Sequence, residues 1–163
     1  MRVRPATRAD LPTILEIYNE AVLNTTASYD YEPHTLEQRA AWFDEHIQQD
    51  YPVFVAEEES GRVVGWSSLN TFRPRIGYRY TAEDSVYVAA DRRGQGIGKR
   101  LLPPLIEAAR AKGLHAIIAG IDAEGEASIR LHEAFGFQRV GHLKEAGYKF
   151  GRWLDVIYME LLL

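Results

Sequence analysis

Residues Ser85 to Ala90 form a run rich in β-favouring side chains, Asp91 to Gly98 a turn with glycine at 94, 96 and 98, and Leu101 to Lys112 an apolar stretch at helical spacing. A strand that passes through such a turn straight into a helix commits the chain to an α/β fold, with helices laid on a sheet. Alternate glycines leave the main chain without Cβ atoms, so successive N–H groups can close on a bulky anion at the positive end of the helix. Arg92, Arg93, Lys99 and Arg100 crowd that same end, where cations oppose the helix macrodipole, so an anionic ligand is expected there. Spacing excludes two familiar phosphate motifs. A dinucleotide fingerprint would need glycine where Lys99 stands, and a P-loop would need it where Arg93 stands.

On either side of this stretch the chain alternates between the two periods. Arg2-Val3-Arg4-Pro5 is a short strand candidate, and Thr7 with Asp10 imitates a capping box before a helix carrying Leu11, Ile14, Ile17 and Val22. Thr35 and Gln38 open a second helix that reaches about Gln49. A hairpin is predicted from Pro52 to Leu69, a buried strand from Leu114 to Ile121, and a short helix from about Glu126 to Phe135. Two closing strands, Phe137 to Leu143 and Leu154 to Leu162, are expected to flank a loop from Gly147 to Trp153. The predicted order is β-α-α-β-β-β-α-β-α-β-β: a mixed sheet flanked by helices in one domain over residues 1–163. Pro103-Pro104 should kink or loosen the helix after the glycine turn, because prolines delete its backbone donors.

With 163 residues and a net charge of −4, the basic cluster reads as a local site rather than a face for nucleic acid. The absence of cysteine excludes disulfides, thiolate metal sites and a cysteine nucleophile. No apolar run of about 18 residues and no signal-peptide core are seen, so neither a membrane role nor export is expected, and the cytoplasm is the expected location.

Arg93-x-x-Gly96-x-Gly98, the element order and the later Ser128-Ile129-x-Leu131-His132-x-x-x-Gly136-Phe137 segment together resemble the GNAT acetyltransferase family from end to end. Ile17-Tyr18-Asn19-Glu20-Ala21-Val22, Glu83-x-Ser85-Val86-Tyr87-Val88 and Lys149-Phe150-Gly151-Arg152-Trp153-x-Asp155 are similar to its phosphinothricin and methionine sulfoximine branch. That resemblance implies a mostly antiparallel sheet of about seven strands with four helices. It also implies acetyl-CoA as co-substrate, no metal, and a homodimer in which the Lys149 to Trp153 segment lines the neighbouring subunit's pocket. The sheet is expected to splay so that the main chain of Val86, Tyr87 and Val88 binds the pantetheine arm, while Gly94, Gln95, Gly96, Ile97, Gly98 and Lys99 hold the pyrophosphate and Arg93, with Arg92 and Arg100, is a candidate for the ribose phosphate or for simple solvation. Gly125 stands where the family usually has an asparagine that bonds the pantetheine.

Acetyl transfer from a thioester needs a neutral amine, and the amine is protonated near neutral pH, so a base is required. Glu83 is the candidate: it shares a strand face with Ser85 and Tyr87, while Asp84 and Val86 point the other way, and the resemblance puts the family's glutamate base there too. His132 stands where many relatives carry a tyrosine that protonates the leaving thiolate, and is either such an acid or a substrate contact. Arg73 and Arg75 are expected to fork onto the carboxylate or phosphinate of a small amino acid, with Tyr78 and Tyr29 as walls and Glu83 and Ser85 facing the substrate. Other readings remain: the same fold acetylating a polyamine, a protein N-terminus or an antibiotic, or a non-catalytic acyl-CoA sensor.

Overall fold

The computed structural model describes residues Met1–Leu163. Strands β1 (Arg2–Pro5), β2 (Val53–Glu57), β3 (Val63–Thr71), β4 (Thr81–Val88), β5 (Ala116–Asp122), β6 (Gln138–Lys149) and β7 (Arg152–Leu162) form one sheet in the order β1-β2-β3-β4-β5-β7-β6. Helices α1 (Leu11–Asn24), α2 (Leu36–Gln49), α3 (Ile97–Ala111) and α4 (Glu126–Ala134) complete the predicted element order. Every strand pair is antiparallel except β4 with β5. No helix is long and apolar enough to cross a membrane.

Local chemistry starts the helices where expected. Thr35 Oγ1 accepts from Gln38 N–H at 3.1 Å, and Gln38 Oε1 accepts from Thr35 N–H at 2.9 Å, so both orphan donors are satisfied at the start of α2. Packing then sorts the faces. Ala82 of β4 joins Leu102, Leu105 and Ile117 in one core, while Trp66 of β3 packs against Tyr18, Trp42 and Tyr87 in the other. Alternation along β4 therefore turns Glu83, Ser85 and Tyr87 toward α1 and α2, and Asp84 and Val86 toward α3 and α4.

Gly65 lets α3 approach β3 closely. A methyl there would lie 3.0 Å from Leu101 Cδ1, 3.1 Å from Ile97 Cγ2 and 3.1 Å from the Tyr87 carbonyl oxygen. Gly65→Val is expected to lower unfolding free energy by about 1–3 kcal/mol through overpacking, read by urea denaturation. A shift below about 0.5 kcal/mol would mean that the helix can move away at no cost.

Two expectations need correction. The loop expected from Gly147 to Trp153 is a continuation of the β6–β7 hairpin, with Gly147 paired to Leu154 and Lys149 to Arg152. Only Phe150 and Gly151 turn, both left-handed with φ of 54° and 73°, the backbone a two-residue hairpin needs to follow the sheet's twist. The helix after the glycine turn, for its part, continues through Pro103 and Pro104. Its buried face, Leu101, Leu102, Leu105 and Ile106, holds it on the sheet despite the lost donors, and the Ser67 hydroxyl donates to the Leu101 carbonyl at 3.1 Å in that turn.

Candidate active site

β4 pairs with β3 from Ala82 to Val88, but with β5 only from Thr81 to Glu83. Beyond Glu83 the sheet is split. The Ala89 N–H donates to the Val64 carbonyl at 2.8 Å, so by alternation Tyr87 and Ser85 face β3 with their main chain, and Val86 and Val88 face the gap. An unpaired strand edge of this kind can accept an extended ligand arm as an added strand. A cleft of about 720 Å³ fills the gap, walled by the loop Thr25–Asp30, the start of α4 and β7.

Glu83 stands where the pairing ends. Its carboxylate is half-buried and lies against Gly120 of β5, where a Cβ would sit 3.4 Å from Oε1. Burial and the neighbouring Asp84 charge raise its pKa above the ordinary glutamate value, with Arg73 opposing. A carboxylate so perturbed at the mouth of a cleft is suited to accept a proton.

His132 reaches the cleft from α4, and both its nitrogens are committed. Nδ1 lies 2.7 Å from the Ser128 carbonyl and Nε2 2.7 Å from Asp84 Oδ2, with both side chains of the pair 3% exposed. Two acceptors require two donors, which is the imidazolium. Burial lowers the His132 pKa, but the charge and hydrogen bond of Asp84 and the Ser128 carbonyl outweigh it and the net direction is upward. To protonate a thiolate, this ring would have to release one of its two acceptors, Asp84 or the Ser128 carbonyl.

The glycines of the turn divide their work. Gly94 and Gly96 have φ of 77° and 78°, and a Cβ at either would meet no atom within 4 Å, so open main chain stands before α3. Gly98 also serves packing, since a Cβ there would lie 2.9 Å from Leu131 Cδ2 of α4, while its backbone stays in the first turn of α3. Ile97 is buried in the core and can offer a ligand only its backbone, whereas Gln95 is exposed. Among the cations, Arg93 is paired with Glu20, and Arg92 with Glu58 at 2.7 Å and Asp91 at 2.9 Å. Lys99 is exposed and pairs with no carboxylate, which leaves it available to an anion. At the other end of the split Gly125 caps α4 without a side-chain hydrogen bond.

Arg73, Arg75 and Tyr78 do not line the cleft. They lie exposed between β3 and β4, where Arg73 rests 4.5 Å over the Phe72 ring and donates to the Phe72 carbonyl at 3.1 Å. Tyr29, expected as a wall, is one. Lys149 turns inward within its own chain, so it is not free for a neighbouring subunit. Three residues that sequence reasoning missed organise the site. Asp84 holds His132. Asn70 donates to the Glu83 carbonyl at 3.2 Å and to Ser85 Oγ at 3.0 Å, and Asp122 accepts from Thr26 Oγ1, Tyr29 OH and Glu124 N–H. Strand alternation put Asp84 on its face and could have done the same for Asn70. Their partners could not be read that way.

Comparison with known proteins agrees with this fold. The family model of the GNAT acetyltransferase domain matches residues 3–158. The chain is 50% identical over 159 residues to the L-methionine sulfoximine/L-methionine sulfone acetyltransferase of Pseudomonas aeruginosa, covering 98% of this chain and 92% of that one. The structure of the phosphinothricin acetyltransferase of Sinorhizobium meliloti in complex with acetyl-CoA superposes with a TM-score of 0.97 at 41% identity, covering 99% of this chain and 88% of that one. That of the ribosomal-protein-alanine N-acetyltransferase of Brucella melitensis also gives 0.97, at 49% identity and full coverage of both chains.

Proposed function

We propose, from the premise that this chain belongs to the GNAT acetyltransferase family, that it transfers the acetyl group of acetyl-CoA to the α-amine of a small amino acid or analogue of the methionine sulfoximine, methionine sulfone or phosphinothricin type. The observation that carries the reading is the half-buried Glu83 carboxylate, placed where β4 parts from β5 and beside the unpaired edge of Val86 and Val88. Glu83 takes a proton from the acceptor ammonium. The freed amine adds to the thioester carbonyl, the C–S bond breaks as the nitrogen gives up its second proton to solvent, and CoA leaves as a thiolate that takes up a proton from solvent. Open main chain at Gly94 and Gly96, with Lys99 beside it, suits the pyrophosphate.

Arg73 and Arg75 have no carboxylate partner and are the proposed clamp for the acceptor's own carboxylate, reached from the loop between β3 and β4. The reading includes assembly as a cytoplasmic homodimer, supported by the exposed rings of Tyr148, Phe150 and Trp153 on one hairpin. A second acceptor class is favoured by the cleft's own charge. Asp30, Glu83, Asp84, Asp122 and Glu124 line it with His132 as its one cationic side chain, which would suit a polyamine or a peptide N-terminus.

CoA thiol release decides between them, measured with methionine sulfoximine, methionine sulfone, phosphinothricin, the natural amino acids, spermidine and a peptide with N-terminal alanine. Turnover is expected on the amino-acid analogues, with kcat/KM at least about tenfold lower in Arg75→Ala. Preference for spermidine or the peptide would sink the carboxylate clamp. Acetyl-CoA binding without turnover on any acceptor would favour a sensor.

A further inference from the structure

We infer that Lys149 and Gly147, near the tip of the β6–β7 hairpin, are positioning residues for the acceptor, because they set the loop Thr25–Asp30 that walls the cleft. The inference rests on the acetyltransferase reading and deepens it.

Lys149 is 2% exposed, and its ammonium donates to the Thr25 carbonyl at 2.8 Å and the Ser28 carbonyl at 2.6 Å, more than a hundred residues away in the chain. No carboxylate pairs with it. Apart from those carbonyls the ammonium has only the Phe150 ring, 5.0 Å away, and burying a cation without an anionic partner is expensive, so an apolar side chain of similar length would fill the space at lower cost. What the ammonium supplies, and an apolar chain could not, is one geometry for the loop between those two carbonyls. Burial accordingly lowers the Lys149 pKa, with the Asp30 charge opposing.

Two residues before it, Gly147 supplies the space. A Cβ there would lie 2.4 Å from Tyr29 Cε2 and 2.9 Å from Cδ2 and Cζ, so the ring lies directly on the Gly147 main chain. Its hydroxyl then donates to Asp122 Oδ2 at 2.6 Å, and Thr26 Oγ1 donates to the same carboxylate at 3.0 Å. Asp122 ends β5 and leads to the start of α4. The loop is therefore fixed from below by the hairpin and from the side by the strand that borders the split. Its residues Ala27, Ser28 and Tyr29 face the cleft across from Glu83, and the Tyr87 hydroxyl meets the Ala27 carbonyl at 3.4 Å. A displacement of this wall moves the acceptor relative to Glu83 without touching the glycine turn.

The test compares Lys149→Met, Lys149→Arg and Gly147→Ala with wild type, by steady-state kinetics and by hydrogen exchange of the amides of residues 25–30. The acceptor KM is expected to rise about tenfold in Lys149→Met and in Gly147→Ala, with the acetyl-CoA KM within about twofold of wild type. Lys149→Arg, which keeps donors, should recover part of the loss, and exchange should quicken in residues 25–30 alone. Folded variants with a wild-type acceptor KM would overturn the inference, even with faster exchange, since the contacts would then be structural only. Should a hairpin variant fail to fold, Tyr29→Phe removes only the hydroxyl at Asp122, and an unchanged acceptor KM there is equally fatal. Absence of turnover by wild type on every acceptor would instead sink the functional reading, and the exchange measurement alone would then decide whether the hairpin holds the loop.

Discussion

Glu83→Gln is expected to lower kcat by about 10²–10⁴-fold, the usual worth of a positioned general base, while the Kd for acetyl-CoA stays at its wild-type value. The amide keeps the shape of the carboxylate but cannot take the proton that makes the acceptor a nucleophile. Its distance from the glycine turn in the chain leaves the cofactor's phosphates untouched. The pH profile carries a second signature. Burial and Asp84 raise the Glu83 pKa, and the base works only when ionised, so the acid limb of kcat/KM lies above the ordinary glutamate range of about 4.3 and the rate rises with pH through it. A carboxyl whose folded pKa is raised is a liability above its unfolded pKa, because folding then buries a charge. Glu83→Gln should therefore unfold no earlier than wild type at neutral pH, which separates lost chemistry from lost structure. Near-wild-type kcat in a folded Glu83→Gln would remove Glu83 as the base.

His132→Leu is expected to cost about 3–5 kcal/mol of stability, because it strands Asp84 as a buried charge without a partner. The linkage has a definite sign. The folded pKa of His132 lies above its unfolded value of about 6.5, so the pair's contribution is complete below that pH and is lost as pH rises through the folded pKa. Thermal denaturation across this window should show the decline in wild type and not in the Asp84→Asn, His132→Leu double variant. That double variant replaces both charges and should recover much of the single variant's loss. Its kcat distinguishes the two roles for the histidine. Activity that returns with stability would make His132 a brace between β4 and α4, whereas a stable double variant with kcat reduced about a hundredfold would make it the acid that meets the thiolate.

Much of this protein was legible without coordinates, and for a common reason. Helix and strand periods, the two capping pairs Thr7/Asp10 and Thr35/Gln38, and the open main chain of a turn with glycines at 94 and 96 are statements about neighbours within a few residues, where side-chain spacing and backbone sterics act directly. The face shared by Glu83, Ser85 and Tyr87 follows from the two-residue period of a strand in the same way. Local pattern failed at the second hairpin, where a glycine- and aromatic-rich stretch that reads as a loop is carried into the sheet by cross-strand pairing from Gly147 to Leu154. It also failed at Pro103-Pro104, where packing outweighed two missing donors.

Tertiary structure alone decided which partners the polar groups have. His132 meets Asp84 across 48 residues, Lys149 meets Ser28 across 121, and the three glycines of one turn divide between an open cradle and a helix contact with Leu131. Such pairings depend on sheet register and on where strands part, which are set by the sum of many long-range contacts rather than by any spacing along the chain. The same limit explains Arg73 and Arg75. Their charge and forked shape suit a carboxylate, but the loop that carries them lies exposed beside the cleft. The sequence by itself thus determined the elements, their order and the chemistry on offer at each position; the fold determined which of those groups face one another, because in a packed interior a polar group's role is its partner.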